Sequence, residues 1–172
     1  MAAATTELQA LLDREAIRDL IHRHTDAVNR RDFEAMAKLY QADAVWESPT
    51  LGLRFEDNAS FIDFLVNTSG ALEILYQEAN NPVVELLDDH TAQASTSIHE
   101  MARTGDGGFN LDQYGMYFDD FVQTDDGWRF RRRAFVTVLS AQDVVSGDVL
   151  TPQPIARPPS LPADEGSTSA SS

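Results

Sequence analysis

The residues of this sequence that could move a proton or hold a developing charge are few: four histidines, a cluster of arginines, and scattered amides and phenols. His24 falls on the apolar stripe of an amphipathic segment, with Ile17, Leu20, Ile21 and Val28, while His22 falls off it. An imidazole on an inward stripe titrates near neutral pH and can act as general acid or base, although a core histidine bonded to a backbone carbonyl has the same signature. His99 shares a strand face with Gln93, Ser95 and Ser97 and is expected to point into the same interior; a one-residue slip would turn it outward. Arg133, in the alternating run Arg133, Phe135, Thr137, puts a fixed cation among apolar neighbours. Such a guanidinium needs an acid or a substrate oxygen as partner, and Asp119 and Glu100 are the candidate acids. Tyr117 and Gln113 lie on the face of Asp119 and can bond a substrate oxygen. Asn29 and Gln77 can bond a substrate carbonyl or phenol, or can lock helix to sheet as an amide pair. Trp46 and Phe135 read as pocket walls.

Other chemistries find little support. Zero cysteines remove disulfides, thiolate nucleophiles and thiolate metal sites. His22 and His24 are two apart and point away from each other on a helix, so no metal site is expected. The Gly105–Gly108 segment reads as a hairpin loop rather than a phosphate loop, and no nucleotide fingerprint or G-x-S-x-G elbow occurs, so no cofactor is expected. With 28 acidic against 13 basic residues the net charge of −15 argues against nucleic acid and anionic membranes as partners. No apolar run reaches the roughly 20 residues of a membrane span, and a cytoplasmic protein is expected.

These side chains must be carried by elements that the patterning makes legible. Leu8 to Val28 has helical apolar spacing, with Thr6 and Gln9 as a capping box and Asp13 as a point of restart. Phe33 to Tyr40 reads as a short second helix. Ala44–Trp46 and Leu53–Phe55 read as short strands about a Pro49–Gly52 turn. Asp57 or Asn58 caps a third helix over Ala59–Asn67. Leu72 to Leu87 is extended, with a break at Asn80-Asn81-Pro82 where proline removes a ladder donor. Thr91 to Arg103 is the next strand. Gln113 to Thr137 then forms a long hairpin turned at Asp126-Gly127, with Trp128, Phe130 and Arg132 on one face of its second strand and Arg133, Phe135 and Thr137 on the other. Helices followed by a strand meander predict an α+β fold, helices on one side of a curved, mostly antiparallel sheet. The domain is expected over residues 1–149. Five of the seven prolines lie between Pro152 and Pro162, so residues 150–172 are expected to be a Pro/Ser-rich arm and tail.

Several pieces in this order resemble the nuclear transport factor 2-like superfamily, in particular its SnoaL-like branch. They are D-R-E-A-I-R-D-L from Asp13, A-V-N-R-R-D-F from Ala27, D-A-V-W from Asp43, N-P-V-V-E from Asn81, and the Gly115–Arg133 hairpin. The branch includes scytalone dehydratase, bile acid 7α-dehydratase and hexachlorocyclohexane dehydrochlorinase. The resemblance implies a cone-shaped α+β barrel with a deep apolar pocket, and a homotrimer or homodimer. It also implies an Asp–His proton-abstracting pair, whose positions match Asn29 and Gln77 here. Neither carboxamide accepts a proton near neutral pH, so that mechanism does not transfer. His24 stands where the branch often has a tyrosine, and Trp46 and Arg133 fall on pocket positions of the dehydrochlorinase. The expectation is a cofactor-free lyase for a small hydrophobic aromatic or polycyclic substrate, eliminating water or a small aldehyde. The alternatives are an isomerase or cyclase of a steroid- or polyketide-like molecule and a non-catalytic binding module.

Overall fold

The computed structural model describes residues 2–141, with side chains from Thr6 onward. The proposed 150–172 arm, and the end of the proposed 1–149 domain, lie outside the described residues. Three helices precede most of a six-stranded sheet: α1 (Ala2–Arg30), α2 (Phe33–Ala37), β1 (Tyr40–Ser48), β2 (Leu53–Phe55), α3 (Asn58–Ser69), β3 (Leu72–Leu86), β4 (Thr91–Thr104), β5 (Asn110–Thr124) and β6 (Gly127–Ala141). The strand order is β2-β1-β6-β5-β4-β3. Every neighbouring pair is antiparallel except β1 with β6, which is parallel. The curved sheet wraps against the helices to make the expected α+β cone. No helix among the described residues is long and apolar enough to cross a membrane.

Helix α1 is continuous through Thr6 and Asp13, so neither starts it. Its buried stripe is Ile17, Leu20, Ile21, His24, Ala27 and Val28, whereas Leu8, Leu11 and Leu12 are more than half exposed. Only the second half of the predicted stripe therefore faces the core. Asn29 fixes that half to the sheet. Its Nδ2 donates to the Gln77 carbonyl at 2.8 Å, and the Gln77 N–H donates to its Oδ1 at 2.7 Å. Helix α2 stops at Ala37 rather than Tyr40, because the chain joins the sheet there: the Phe130 N–H donates to the Leu39 carbonyl at 3.0 Å. Asp57 caps α3 by accepting from the Ser60 N–H.

Three irregularities in the ladders aim the side chains that matter. The β3–β4 register shifts between Asn80 and Val83, with Asn81 at φ 54, at the predicted proline break. Gly127 takes φ 98 at the hairpin turn. The third was not legible in the alternation. Phe121 pairs with Phe130 and Asp120 with Arg132, so Arg131 is the extra residue of a β-bulge. The bulge changes the phase of β6. Trp128 and Phe130 are buried, and so are Arg133 and Phe135, although strict alternation separates them.

Gly115 on β5 has a separate packing role. A Cβ there would lie 2.5 Å from the Val136 carbonyl oxygen and 2.6 Å from Cε2 of Phe135. Gly115→Ala is therefore expected to lower stability by about 1–3 kcal/mol, the usual cost of overpacking, and to push the Phe135 ring from its place. A denaturant titration with the midpoint unchanged would refute this.

Candidate active site

Between the concave face of the sheet and helices α1 and α3 lies a cavity of about 220 Å³. Its walls are mostly apolar and aromatic, with Trp46 stacked on Phe61 at 4.8 Å and 11° and Phe135 tilted against Tyr117 at 5.2 Å. A larger surface hollow between Asp43, Gln93 and Arg131 is open to solvent and mixes charges of both signs, which makes it a poor trap for an apolar molecule. Of the residues proposed from the sequence, His24, Trp46, Gln77, Gln113, Tyr117 and Phe135 line the interior cavity.

His99, Arg133 and Asn29 do not. On β4 the inward face is Ala92, Ala94, Thr96, Ile98 and Ala102, and His99 belongs to the other face. Its ring stacks on Tyr114 at 4.3 Å, its Nε2 is 2.7 Å from Asp112 Oδ1, and it is removed from the cavity. The expectation of an inward His99 is thus corrected by the one-residue parity of the strand. Arg133 is fully buried but lies beneath the cavity wall. Its Nε and Nη2 donate to the two Asp119 oxygens at 2.7 and 2.8 Å, and the guanidinium sits 4.0 Å from the Tyr117 ring centroid and 4.2 Å from that of Phe130. Burial opposes its charge most, but the attraction and hydrogen bonds of Asp119, together with Tyr40 and Tyr117, outweigh it and the pKa of Arg133 is raised. The arginine is a partner for an acid of the core rather than for a ligand in the cavity. Asn29 spends its side chain on the Gln77 backbone, as above.

His24 lines the cavity and bonds Tyr40, whose hydroxyl is 3.2 Å from Nδ1. Burial, and then the charge of Arg133, hold its pKa well below the ordinary histidine value, so the imidazole is neutral at neutral pH and a weak proton acceptor.

In the sequence Glu100 stands out only as a possible partner of Arg133, yet it is the one carboxylic acid lining the cavity among the described residues. Gln77, Glu100 and Gln113 are direct cross-strand partners on β3, β4 and β5 and form a single rung. The Gln77 Nε2 donates to Glu100 Oε2 at 2.8 Å and to the Tyr117 hydroxyl oxygen at 3.0 Å, and the Gln113 Nε2 donates to Glu100 Oε1 at 2.8 Å. Burial raises the Glu100 pKa above its usual value, and the two amide bonds only partly offset it. A carboxyl raised toward neutrality, held by two donors against an apolar chamber, is a group suited to taking and returning a proton. The signal that could have found it was the small and apolar set Ala92, Ala94, Ile98 and Ala102, whose parity Glu100 shares. Tyr117 accepts from Gln77, which leaves its own O–H to donate. Burial raises its pKa first, with Glu100 and Tyr40 adding to this, so it keeps its proton and acts as a donor.

A family model for the SnoaL-like domain matches residues 9–134. The chain is a SnoaL-like protein. Similar solved structures include the hexachlorocyclohexane dehydrochlorinase LinA-type3 from Novosphingobium barchaimii LL02, at 17% identity and a TM-score of 0.72 over 83% of this chain and 98% of that one. An NTF2-like protein with a cystatin-like fold from Novosphingobium aromaticivorans is 22% identical, with a TM-score of 0.70 over 80% and 90% of the two chains. The Kfla4162 protein from Kribbella flavida is 19% identical, with a TM-score of 0.70 over 77% and 95%. No curated protein sequence matches the chain. At these identities the structural likenesses establish the fold of this SnoaL-like chain, and they include an enzyme.

The Asn29 clamp gives a test within the SnoaL-like frame. Asn29→Asp replaces the Nδ2 donor by an oxygen that faces the Gln77 carbonyl, so two acceptors meet in a partly buried place. The expected cost is about 1–3 kcal/mol, the desolvation penalty of an unpaired acceptor. A chemical-denaturation midpoint equal to that of the parent would show that the clamp contributes nothing.

Proposed function

We propose that this SnoaL-like protein is a cofactor-independent lyase in which Glu100, rather than a histidine, moves the proton. The observation that carries the reading is the Gln77–Glu100–Gln113 rung, which sets one carboxyl at the wall of an otherwise largely apolar cavity. For loss of water, the Glu100 carboxylate takes a proton from carbon, the C–H pair becomes a C=C bond, and the neighbouring C–O bond breaks. Glu100, now an acid, returns the proton to the departing hydroxide, so water leaves and the carboxylate is regenerated. For loss of a small aldehyde, Glu100 takes the hydroxyl proton, the C–C bond breaks, and the carbanion takes the proton back. In both cases the Tyr117 O–H supports the oxygen on which negative charge grows.

A single carboxyl that takes and returns one proton also serves an isomerase, which is the second reading. Incubating the protein with a panel of hydroxylated ring compounds and following products by mass spectrometry separates the two. A product lighter by one water or one aldehyde supports the lyase, and a product of unchanged mass supports the isomerase. Stoichiometric binding without conversion of any panel member would replace both by a binding module.

A further inference from the structure

We infer that the cavity takes an uncharged one- or two-ring molecule bearing a hydroxyl group, and that this hydroxyl donates to the Gln77–Glu100–Gln113 rung. The inference rests on the reading of this cavity as the functional site. Three features of the wall carry it.

The first is an excess of acceptors. A carboxylate can only accept, so both carboxamides must turn their NH₂ groups toward Glu100, and their oxygens are left over. Gln77 Oε1 and Gln113 Oε1 are indeed buried without a partner. Buried acceptors of this kind call for a donor, and a hydroxyl brings one without bringing charge. The second is the absence of a cation. No lysine or arginine lines the cavity among the described residues, His24 is held neutral, and the nearby guanidinium of Arg133 is already bound to Asp119. A carboxylate or phosphate on the ligand would meet Glu100 with nothing to neutralise it. An ammonium would have to shed its water into an apolar chamber that offers one carboxyl. The third is size. At about 220 Å³ the cavity is roughly half as large again as the ~150 Å³ engineered cavity known to hold benzene, which fits a substituted or fused aromatic ring and excludes a four-ring skeleton. At the Trp46 wall an unpartnered buried Nε1–H remains to donate to a second oxygen of the same molecule.

The test is a binding comparison on the unaltered protein, by isothermal titration with four probes of one skeleton: 2-naphthol, 2-methoxynaphthalene, 2-naphthoate and 2-naphthylmethylamine. The naphthol is expected to bind at least about tenfold more tightly than the methyl ether, the factor that a single well-placed hydrogen bond supplies. The two charged probes are expected to bind more weakly still. Gln113→Met, which removes one acceptor at similar volume, should narrow the gap between naphthol and ether. A methyl ether within about twofold of the naphthol, a charged probe as tight as the naphthol, or no binding by any of the four would overturn the inference. The readout is affinity, so it fails separately from the proposed reaction: Glu100→Gln can abolish conversion and still leave the preference for the hydroxyl in place.

Discussion

Glu100→Gln is expected to lower turnover of any converted substrate by about 10²–10⁴-fold, the range that a positioned general base contributes, while leaving the fold intact. The substitution keeps the shape of the side chain and removes its ability to take a proton. The pH dependence follows from the same group. Burial raises the Glu100 pKa, so the carboxylate needed for catalysis is present only above that raised value, and kcat/KM should fall as pH drops through a point higher than the 4.5 of an ordinary glutamate. Stability runs the other way. A carboxyl whose folded pKa is raised favours the fold in its protonated form, so its contribution is fully present below the unfolded value and is lost as pH rises through the folded one. Glutamine, like the protonated acid, carries no charge to desolvate at any pH, and once one neighbouring carboxamide turns over, the new NH₂ group donates to that amide's oxygen while the other amide oxygen stays free. The variant should therefore melt higher than the parent at neutral pH while losing activity. Calorimetry and a progress curve on the same sample decide it: retained turnover removes Glu100 from the mechanism.

The second large effect concerns the ion pair beneath the cavity. Asp119 and Arg133 are both fully buried and joined by two hydrogen bonds. Asp119→Asn removes the compensating charge and leaves a guanidinium in the core, a change that costs about 3–5 kcal/mol in buried pairs. For a chain of this length that corresponds to a fall in Tm of roughly 6–20 °C. Removing both charges, as Asp119→Leu with Arg133→Met, should recover most of the loss, because the desolvation of the two ions disappears with them. A single variant melting within about 2 °C of the parent would mean that the guanidinium finds another partner or water. The aromatic faces of Tyr117 and Phe130 on either side of Arg133 already share in holding the charge.

Much of the frame is local in origin and so was legible in the amino-acid order. The period of 3.6 from Ile17 to Val28 put His24 on the buried side of a helix, and burial bears this out. Asp57 reads as a cap because its carboxylate reaches the Ser60 N–H three residues on. Pro82 breaks a ladder because it has no N–H, and Gly127 turns a hairpin because it tolerates a positive φ. The motifs from Asp13 to Arg133 pointed to the SnoaL-like domain, which the family model matches.

The chemistry of the site is a matter of register and facing, and neither is local. A two-residue period determines which side chains share a face but not which face is inside: His99 and Glu100 are neighbours in the chain, and the choice between them falls to the packing of Ala92, Ala94, Ile98 and Ala102 against the core. Gln77, Glu100 and Gln113 are 23 and 13 residues apart, and only the pairing of three strands brings two amides onto one carboxyl. The bulge at Arg131 shifts the phase of β6, and the pairing of Asp119 with Arg133 then engages two of the guanidinium nitrogens with an acid of the core. The sequence by itself determined the elements, the fold family and the inward place of His24. The tertiary structure alone decided that Glu100, and not its neighbour His99, stands at the cavity wall between two amides, because hydrogen bonding between distant strands, not residue type, sets the environment in which a carboxyl stands.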